Sequence, residues 1–238
     1  LLTESVVLAT IGGVLGVASA QGVAQRSIPV VAPADFIEEA TSENVLVGTA
    51  MARRSMYQFG KNLERSPKGN VDTGLGKNVA YGAIGVLMPT QLITLPEQEL
   101  VIDGVRFVFH DVPGAEAPAE LTFSIPERKV YGGAENLAQT MHNLLPVRGA
   151  NVRDSLQWST YLQEAIDHLG DAEVYFGQHN WPVWGNARIV DFISKHRDVY
   201  KYTHDQTVRL INAGHTPREI AERVKLPPSL ASFFGARG

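Results

Sequence analysis

Three residues of this 238-residue chain have the types and surroundings from which a metal centre could be built. Glu116 sits in Pro113-Gly114-Ala115-Glu116-Ala117-Pro118-Ala119-Glu120, Glu135 in Gly132-Gly133-Ala134-Glu135-Asn136, and His179 in Gln178-His179-Asn180-Trp181-Pro182. The chain has no cysteine, so a metal must be held by His, Asp and Glu, which favours zinc or another hard to borderline divalent ion. A two-metal hydrolase keeps its ions about 3.5–4 Å apart and can share a carboxylate between them. Glu116 and Glu135 each follow or end a predicted strand, and their small neighbours would let the backbone come close to a buried cation. Taken singly, each glutamate reads more readily as a solvated loop carboxylate. His179, beside Trp181 and Trp184, taken alone is more often a packed and hydrogen-bonded histidine than a ligand.

The elements that must position these residues can be read from local pattern. Residues 28–33 predict a short strand closed by Pro33, and 34–64 a helical region with a loop. The Gly-, Asn- and Pro-rich stretch 65–80 has no periodicity and predicts a long loop of the kind that is usually functional. Asp103-Gly104 between Leu100-Val101-Ile102 and 105–110 predicts a hairpin with a tight type I′ turn. Two more strands are expected at 120–125 and 129–133, and a helix at 155–169 with Trp158, Leu162, Ala165, Ile166 and Leu169 on one face. Glu173 to Gly177 predicts a short buried strand running into His179. From Asn186 the pattern is helical. A first helix carries the stripe Ile189, Phe192, Ile193, His196, Val199 and Tyr200, and a second ends at Gly214. A third is opened by Thr216-Pro217-Arg218-Glu219 as a capping box. A domain boundary is expected near 186.

Composition narrows the function classes. The balance of 21 basic and 25 acidic residues leaves a net charge of −4 with no long basic run, which argues against a nucleic-acid partner. Val6 to Ala20 is an apolar run ending in Ala18-Ser19-Ala20, the outline of a signal-peptide core and cleavage site. Glu4 rather than a basic residue precedes it, and Gly12-Gly13 and Gly16 interrupt it, so neither a signal peptide nor a membrane span is expected.

Longer motifs give these residues a context. Pro113 to Glu120, Ala134-Glu135-Asn136 and His142-Asn143-Leu144-Leu145-Pro146-Val147-Arg148-Gly149 resemble the alkyl sulfatase branch of the metallo-β-lactamase superfamily. So do Val152-Arg153-Asp154, Trp181-Pro182 with Trp184-Gly185, and Arg197-Asp198 through Thr207. Upstream, Ser42-Glu43-Asn44-Val45, Gly48 to Met51 and Val71 to Lys77 also fit. The resemblance implies an α/β fold, a metallo-β-lactamase-like αββα sandwich over 1–185 with its N-terminal part incomplete. An α-helical dimerisation region would follow over 186–238. It implies two zinc ions, with Glu116 a terminal ligand of one, Glu135 bridging both and His179 on the second. Asn143 and Arg148 would grip the sulfate of an alkyl sulfate ester, the planar Arg fork matching a tetrahedral oxyanion. His142 would support the metal ligands from behind. The family has two successive histidines before Trp-Pro where this chain has His179-Asn180, and His179 is taken as the ligand.

The family's first metal motif, H-x-H-x-D-H, is missing. Gly12-Gly13-Val14-Leu15-Gly16-Val17 fits the segment that follows it, which places the four ligand positions at Ser5, Val7, Ala9 and Thr10. None of these binds zinc well. Glu116, Glu135 and His179 alone would hold at most one ion weakly, and buried carboxylates without a counter-cation are costly. Three explanations stay open: an N-terminus altered relative to a working parent, a non-catalytic relative kept for binding or dimer assembly, or ligands supplied by another chain. The expectation is an alkyl sulfatase by lineage that is inactive or impaired as it stands. The compartment is left open, exported and cytoplasmic bacterial locations both being compatible.

Overall fold

The computed structural model describes residues 29–71 and 86–236. The apolar run 6–20, the four vacant ligand positions and the motif residues 72–77 lie outside them. Strand β1 (Val31–Pro33) leads into α1 (Phe36–Thr41), a π-helical turn (Ser42–Leu46) and α2 (Gly48–Phe59). Then come β2 (Gln91–Ile93), β3 (Glu97–Ile102), β4 (Val105–Asp111), β5 (Leu121–Ile125) and β6 (Val130–Gly132). Helix α3 (Ser155–His168), β7 (Val174–Phe176) and β8 (Val183–Trp184) follow. The chain closes with α4 (Asn186–Asn212), α5 (Pro217–Arg223) and α6 (Pro228–Ala231).

β1 and β2 pair in parallel as a small sheet, and β3 to β8 form a six-stranded sheet in sequence order. All its pairings are antiparallel except β6–β7. Two apolar clusters cover its two faces. Phe107, Phe109 and Phe123 pack with Val31 and Ile93, which seats the small sheet on one face. Tyr131, Tyr175 and Val183 pack with α3 and α4 on the other. The result is a mixed α/β layered protein, as the motif resemblance implies.

The hairpin forms as its turn chemistry requires, with Asp103 and Gly104 at φ of 51° and 74°. Strand β7 is shorter than expected and only Tyr175 in it is buried, Phe176 being 38% exposed. The expected capping box is present: Thr216 Oγ1 accepts from the Glu219 N–H, and the Glu219 carboxylate accepts from the Thr216 N–H at 2.8 Å. The two helices expected between 186 and Gly214 are a single helix of 27 residues. No Gly or Pro interrupts 186–212, so nothing forces a break there.

The stripe on α4 is not a free surface. Ile189, Phe192, Ile193 and Tyr200 lie in the same core as Trp158, Leu162 and Ala165 of α3, and Tyr200 stacks on Trp158 at 4.4 Å. A dimer contact cannot use it without opening that core.

His196, 1% exposed on α4, sits edge-on between the rings of Phe192 and Phe233, at 4.6 and 4.9 Å. Its Nδ1 meets the Phe192 carbonyl at 3.0 Å, and burial holds its pKa down at about 4. The unfolded chain takes up this proton near pH 6.5 and the folded chain near pH 4, so stability is present above 6.5 and is lost as pH falls towards 4. A His196→Phe variant should lack this component. Urea melts from pH 7 to 4 should show the wild type losing about 3 kcal/mol more than the variant. Parallel pH profiles would contradict this.

Candidate functional site

The sheet directions explain why three distant residues meet. β4 is antiparallel to β5, β5 to β6, and β6 is parallel to β7. Strands β4, β6 and β7 therefore run the same way, and Glu116, Glu135 and His179 all lie in loops just past their carboxyl ends. Such an edge is where open α/β sheets gather ligand-binding groups.

Each loop is bent for the purpose. Gly114, at φ 78°, turns the chain after β4, and its N–H donates to the Ala117 carbonyl at 2.9 Å. Ala134 (φ 48°) precedes Glu135 and Asn180 (φ 69°) follows His179, both left-handed although neither is glycine. Such conformations cost of order 1–3 kcal/mol and persist where the surroundings over-determine them. Here the β7 side supplies that hold: the Gly133 N–H donates to the Phe176 carbonyl at 2.8 Å and the Gln178 N–H to the Ala134 carbonyl at 3.0 Å. Gly132 and Gly133 make room for aromatic rings rather than for a cation, contrary to the expectation. A Cβ on Gly132 would lie 2.5 Å from Phe123 Cζ, and one on Gly133 would collide with the Tyr175 hydroxyl.

His179 Nε2 is hydrogen-bonded to Glu135 Oε1, and Glu135 Oε2 is buried with no partner among the described residues. One donor atom each from Glu135, His142 and His179 lie within 4.8 Å of one another, a group able to hold a metal ion. His142 thus stands among the candidate ligands instead of behind them. Its backbone is latched by Tyr200 of α4, whose hydroxyl accepts from the His142 N–H at 3.0 Å. Helix α4 therefore helps to shape the site.

Glu116 is engaged differently. Its Oε1 pairs with Arg153 Nη2, and Arg153 Nε donates to the Glu116 carbonyl at 2.6 Å. The same guanidinium donates to the Asn143 carbonyl at 2.7 Å, is hydrogen-bonded to Asn143 Oδ1, and lies 3.0 Å from His142 Nδ1. Arg153 thereby ties Glu116 to the His142–Asn143 loop from a position where its side chain is only 5% exposed.

Glu120 lies wholly buried beneath both carboxylates. Its Oε1 accepts from the Glu135 N–H at 2.8 Å and its Oε2 from the Glu116 N–H at 3.3 Å, so one side chain fixes both glutamate loops. Neither Arg153 nor Glu120 was singled out in the sequence, although both stand inside the quoted motifs, as Val152-Arg153-Asp154 and as the last residue of Pro113 to Glu120. Repeated charged residues within an otherwise small, apolar motif were the available signal.

The electrostatics are those of crowded carboxylates. Burial and the Glu135 charge push Glu116 up to about 8, against the pull of Arg153. Burial drives Glu120 well above the carboxylate range, with the Glu116 and Glu135 charges adding to it. Burial works against ionisation of Glu135 as well, yet its bond to His179 takes it below the ordinary value, and the same bond raises His179.

Of the residues expected to grip sulfate, the structure brings Asn143 into this network and leaves Arg148 outside it. Arg148 Nη2 faces Glu43 Oε1 at 3.7 Å, at a position within Coulombic reach of Glu116.

Fold and site together define a mixed α/β protein with a Glu/His cluster able to hold a metal ion at the carboxyl edge of its sheet. Over part of their length, alkylsulfatases are similar to this chain. An alkyl/aryl-sulfatase of Saccharomyces cerevisiae is 43% identical over 228 residues, 95% of this chain and 35% of that protein. An (R)-specific secondary-alkylsulfatase of Pseudomonas sp. is 39% identical over 234 residues, 94% of this chain and 35% of that protein. The solved structure of the sec-alkylsulfatase Pisa1 from Pseudomonas sp. matches with a TM-score of 0.85 and 39% identity over 92% of this chain and 35% of that one. No family model matches. The chain thus corresponds to about a third of the length of these relatives, and over that third it is homologous to the alkylsulfatases.

Proposed function

We propose that this chain carries the substrate-facing half of an alkyl sulfate ester hydrolase and is impaired in catalysis as it stands. The observation that carries this reading is the meeting of Glu135, His142 and His179 at one sheet edge, with Glu116 3.8 Å from His142, in a chain about 40% identical to alkylsulfatases. Zinc fits the donor set. Glu135 and His179, joined by His142, offer one carboxylate and two imidazoles, and the unpartnered Glu135 Oε2 is the orphaned oxygen a cation would satisfy. Bound there, zinc would supply Lewis acidity towards a sulfate oxygen. Three donors make a weaker holder than a complete two-ion site, and with Ser5, Val7, Ala9 and Thr10 at the positions of the family's first motif this is the ground for expecting impairment.

The chain's own residues have tasks independent of the ion. Arg153 fixes the amide of Asn143 by occupying its Oδ1, and the amino group would serve as a donor for an oxyanion. Arg148 would leave its long contact with Glu43 to meet the sulfate. Leu145, Val147 and Trp181 are 58, 66 and 60% exposed on the loops that carry Asn143, Arg148 and His179, and they offer apolar surface to an alkyl tail. Assembly through the helical segment 186–238 remains part of the proposal, by way of its exposed Val208 and Ile211 instead of the buried stripe. Among the described residues no helix is long and apolar enough to cross a membrane.

Zinc uptake by chelator-stripped protein and dodecyl sulfate hydrolysis test the reading together. Glu135→Gln should remove one equivalent of bound zinc, and unchanged uptake would overturn the metal assignment. Hydrolysis by the unaltered chain should stay near background. Robust turnover that Glu135→Gln abolishes would overturn the impairment while keeping the substrate class.

A further inference from the structure

A second group of metal-ligating side chains stands apart from the carboxylate network. Glu97 opens β3, and His110 in β4 is its directly opposite cross-strand partner. His168 is the last residue of α3, the far end of that helix from Arg153 and the N-cap Asp154. Glu97 Oε2 lies 3.5 Å from His110 Nδ1 and 3.5 Å from His168 Nδ1, and the three donor atoms lie within 4.8 Å of one another.

Neither distance is that of a good hydrogen bond, which would be about 2.7–3.2 Å. Both match the edge of a tetrahedron around zinc: ligands at about 2.0–2.1 Å from the ion stand about 3.3–3.4 Å apart. The two imidazoles are stacked with ring centroids 4.3 Å apart and 27° between planes, so both Nδ1 atoms are brought to one carboxylate oxygen. Two stacked imidazolium ions at that separation would repel each other. A divalent cation bound at the two Nδ1 atoms would use both nitrogens at once with the rings neutral.

The setting is that of a site with one rigid ligand and two accessible ones. The His110 side chain is only 8% exposed, it is held in a strand paired on both sides, and its Nε2 has no partner among the described residues. The Glu97 and His168 side chains are 53 and 41% exposed, which lets an ion enter from solvent and keep a water in its fourth place. Two imidazoles and one carboxylate suit zinc, cobalt or nickel, and do not suit calcium or magnesium, which take oxygen ligands.

We propose that Glu97, His110 and His168 bind one zinc-class divalent cation, a site separate from Glu135, His142 and His179, which clasps the β3–β4 hairpin to the end of α3. The inference does not rest on the sulfatase reading. Isothermal titration of the chelator-stripped 238-residue chain with zinc chloride tests it, comparing the wild type with His168→Gln, Glu97→Gln and Glu135→Gln. Both His168→Gln and Glu97→Gln alter half-exposed side chains, and circular dichroism checks that they stay folded. Each should lose one equivalent of zinc that Glu135→Gln retains, and the zinc-dependent rise in melting temperature attached to that equivalent should disappear. Magnesium chloride should give no heat at this site. Zinc uptake unchanged in both His168→Gln and Glu97→Gln would overturn the proposal, as would a wild type that takes up no zinc beyond what Glu135→Gln removes. Either result would reduce the cluster to a carboxylate accepting an ordinary contact from histidine.

Discussion

Writing the missing ligands back into the chain, as Ser5→His, Val7→His, Ala9→Asp and Thr10→His together, is expected to raise dodecyl sulfate hydrolysis at least about a hundredfold above the unaltered chain. A hundredfold is about 2.7 kcal/mol of transition-state stabilisation, modest beside the several kcal/mol a bound metal typically provides. The four positions fall outside the described residues, so the argument rests on sequence spacing: Gly12-Gly13-Val14 stands where the family motif would place it after the ligands. On the other side of the site, Glu116, Glu135 and His179 are already delivered to one sheet edge, and Arg153 and Glu120 already fix their loops. The graft should also raise zinc stoichiometry by one, measured by elemental analysis after dialysis. Extra zinc with no turnover would mean that the retained half is a binding scaffold and not a sulfatase site. No extra zinc would mean that the four positions do not reach the edge.

What the sequence disclosed and what it withheld divide by range of interaction. The Asp103-Gly104 turn and the Thr216–Glu219 capping box were legible because each is decided within four residues. The apolar face of α3 was legible because periodicity alone sets it. Glu116, Glu135 and His179 were legible only through the long motifs around them, since each by itself is an ordinary loop residue. The role of Arg153 was not legible: its partner Glu116 is 37 positions away, and a single arginine before a helix N-cap reads as a surface residue. Nor was that of Glu120, whose two bonds run to backbone amides of loops that only the folded sheet brings together. The same limit misled the reading of Gly132-Gly133, where the space is set by Phe123 and Tyr175 on neighbouring strands. The α4 stripe was read correctly as apolar, but the sequence did not say which surface would cover it. Strands β2 and β8, of 3 and 2 residues, are too short to show a period.

Arg153→Met should destabilise the chain by about 3–5 kcal/mol above pH 8, where Glu116 is ionised and the change leaves a buried carboxylate without its partner. The change deletes one cation from a pocket that retains the carboxyls of Glu116, Glu120 and Glu135, and it leaves the Glu116 and Asn143 carbonyls without their donor. The pH dependence has a definite sign. Glu116 is already raised to about 8 with Arg153 in place, and Arg153 is what pulls it down, so its loss carries the pKa higher still. A carboxyl whose folded pKa is raised costs stability as pH rises through that value, and the variant must keep its proton over a range where the wild type releases it. The deficit should therefore widen as pH rises above about 8. Urea unfolding at pH 6 and pH 9 measures it. The double variant Arg153→Met with Glu116→Gln should recover part of the loss, because it removes the unpaired charge along with its partner. A single-variant cost below about 1 kcal/mol at pH 9, in the range of an exposed pair, would show that Arg153 is not the buried clasp of this site. Strictly additive single and double variants would show that its stability comes from the Asn143 side of the network, with Glu116 a bystander.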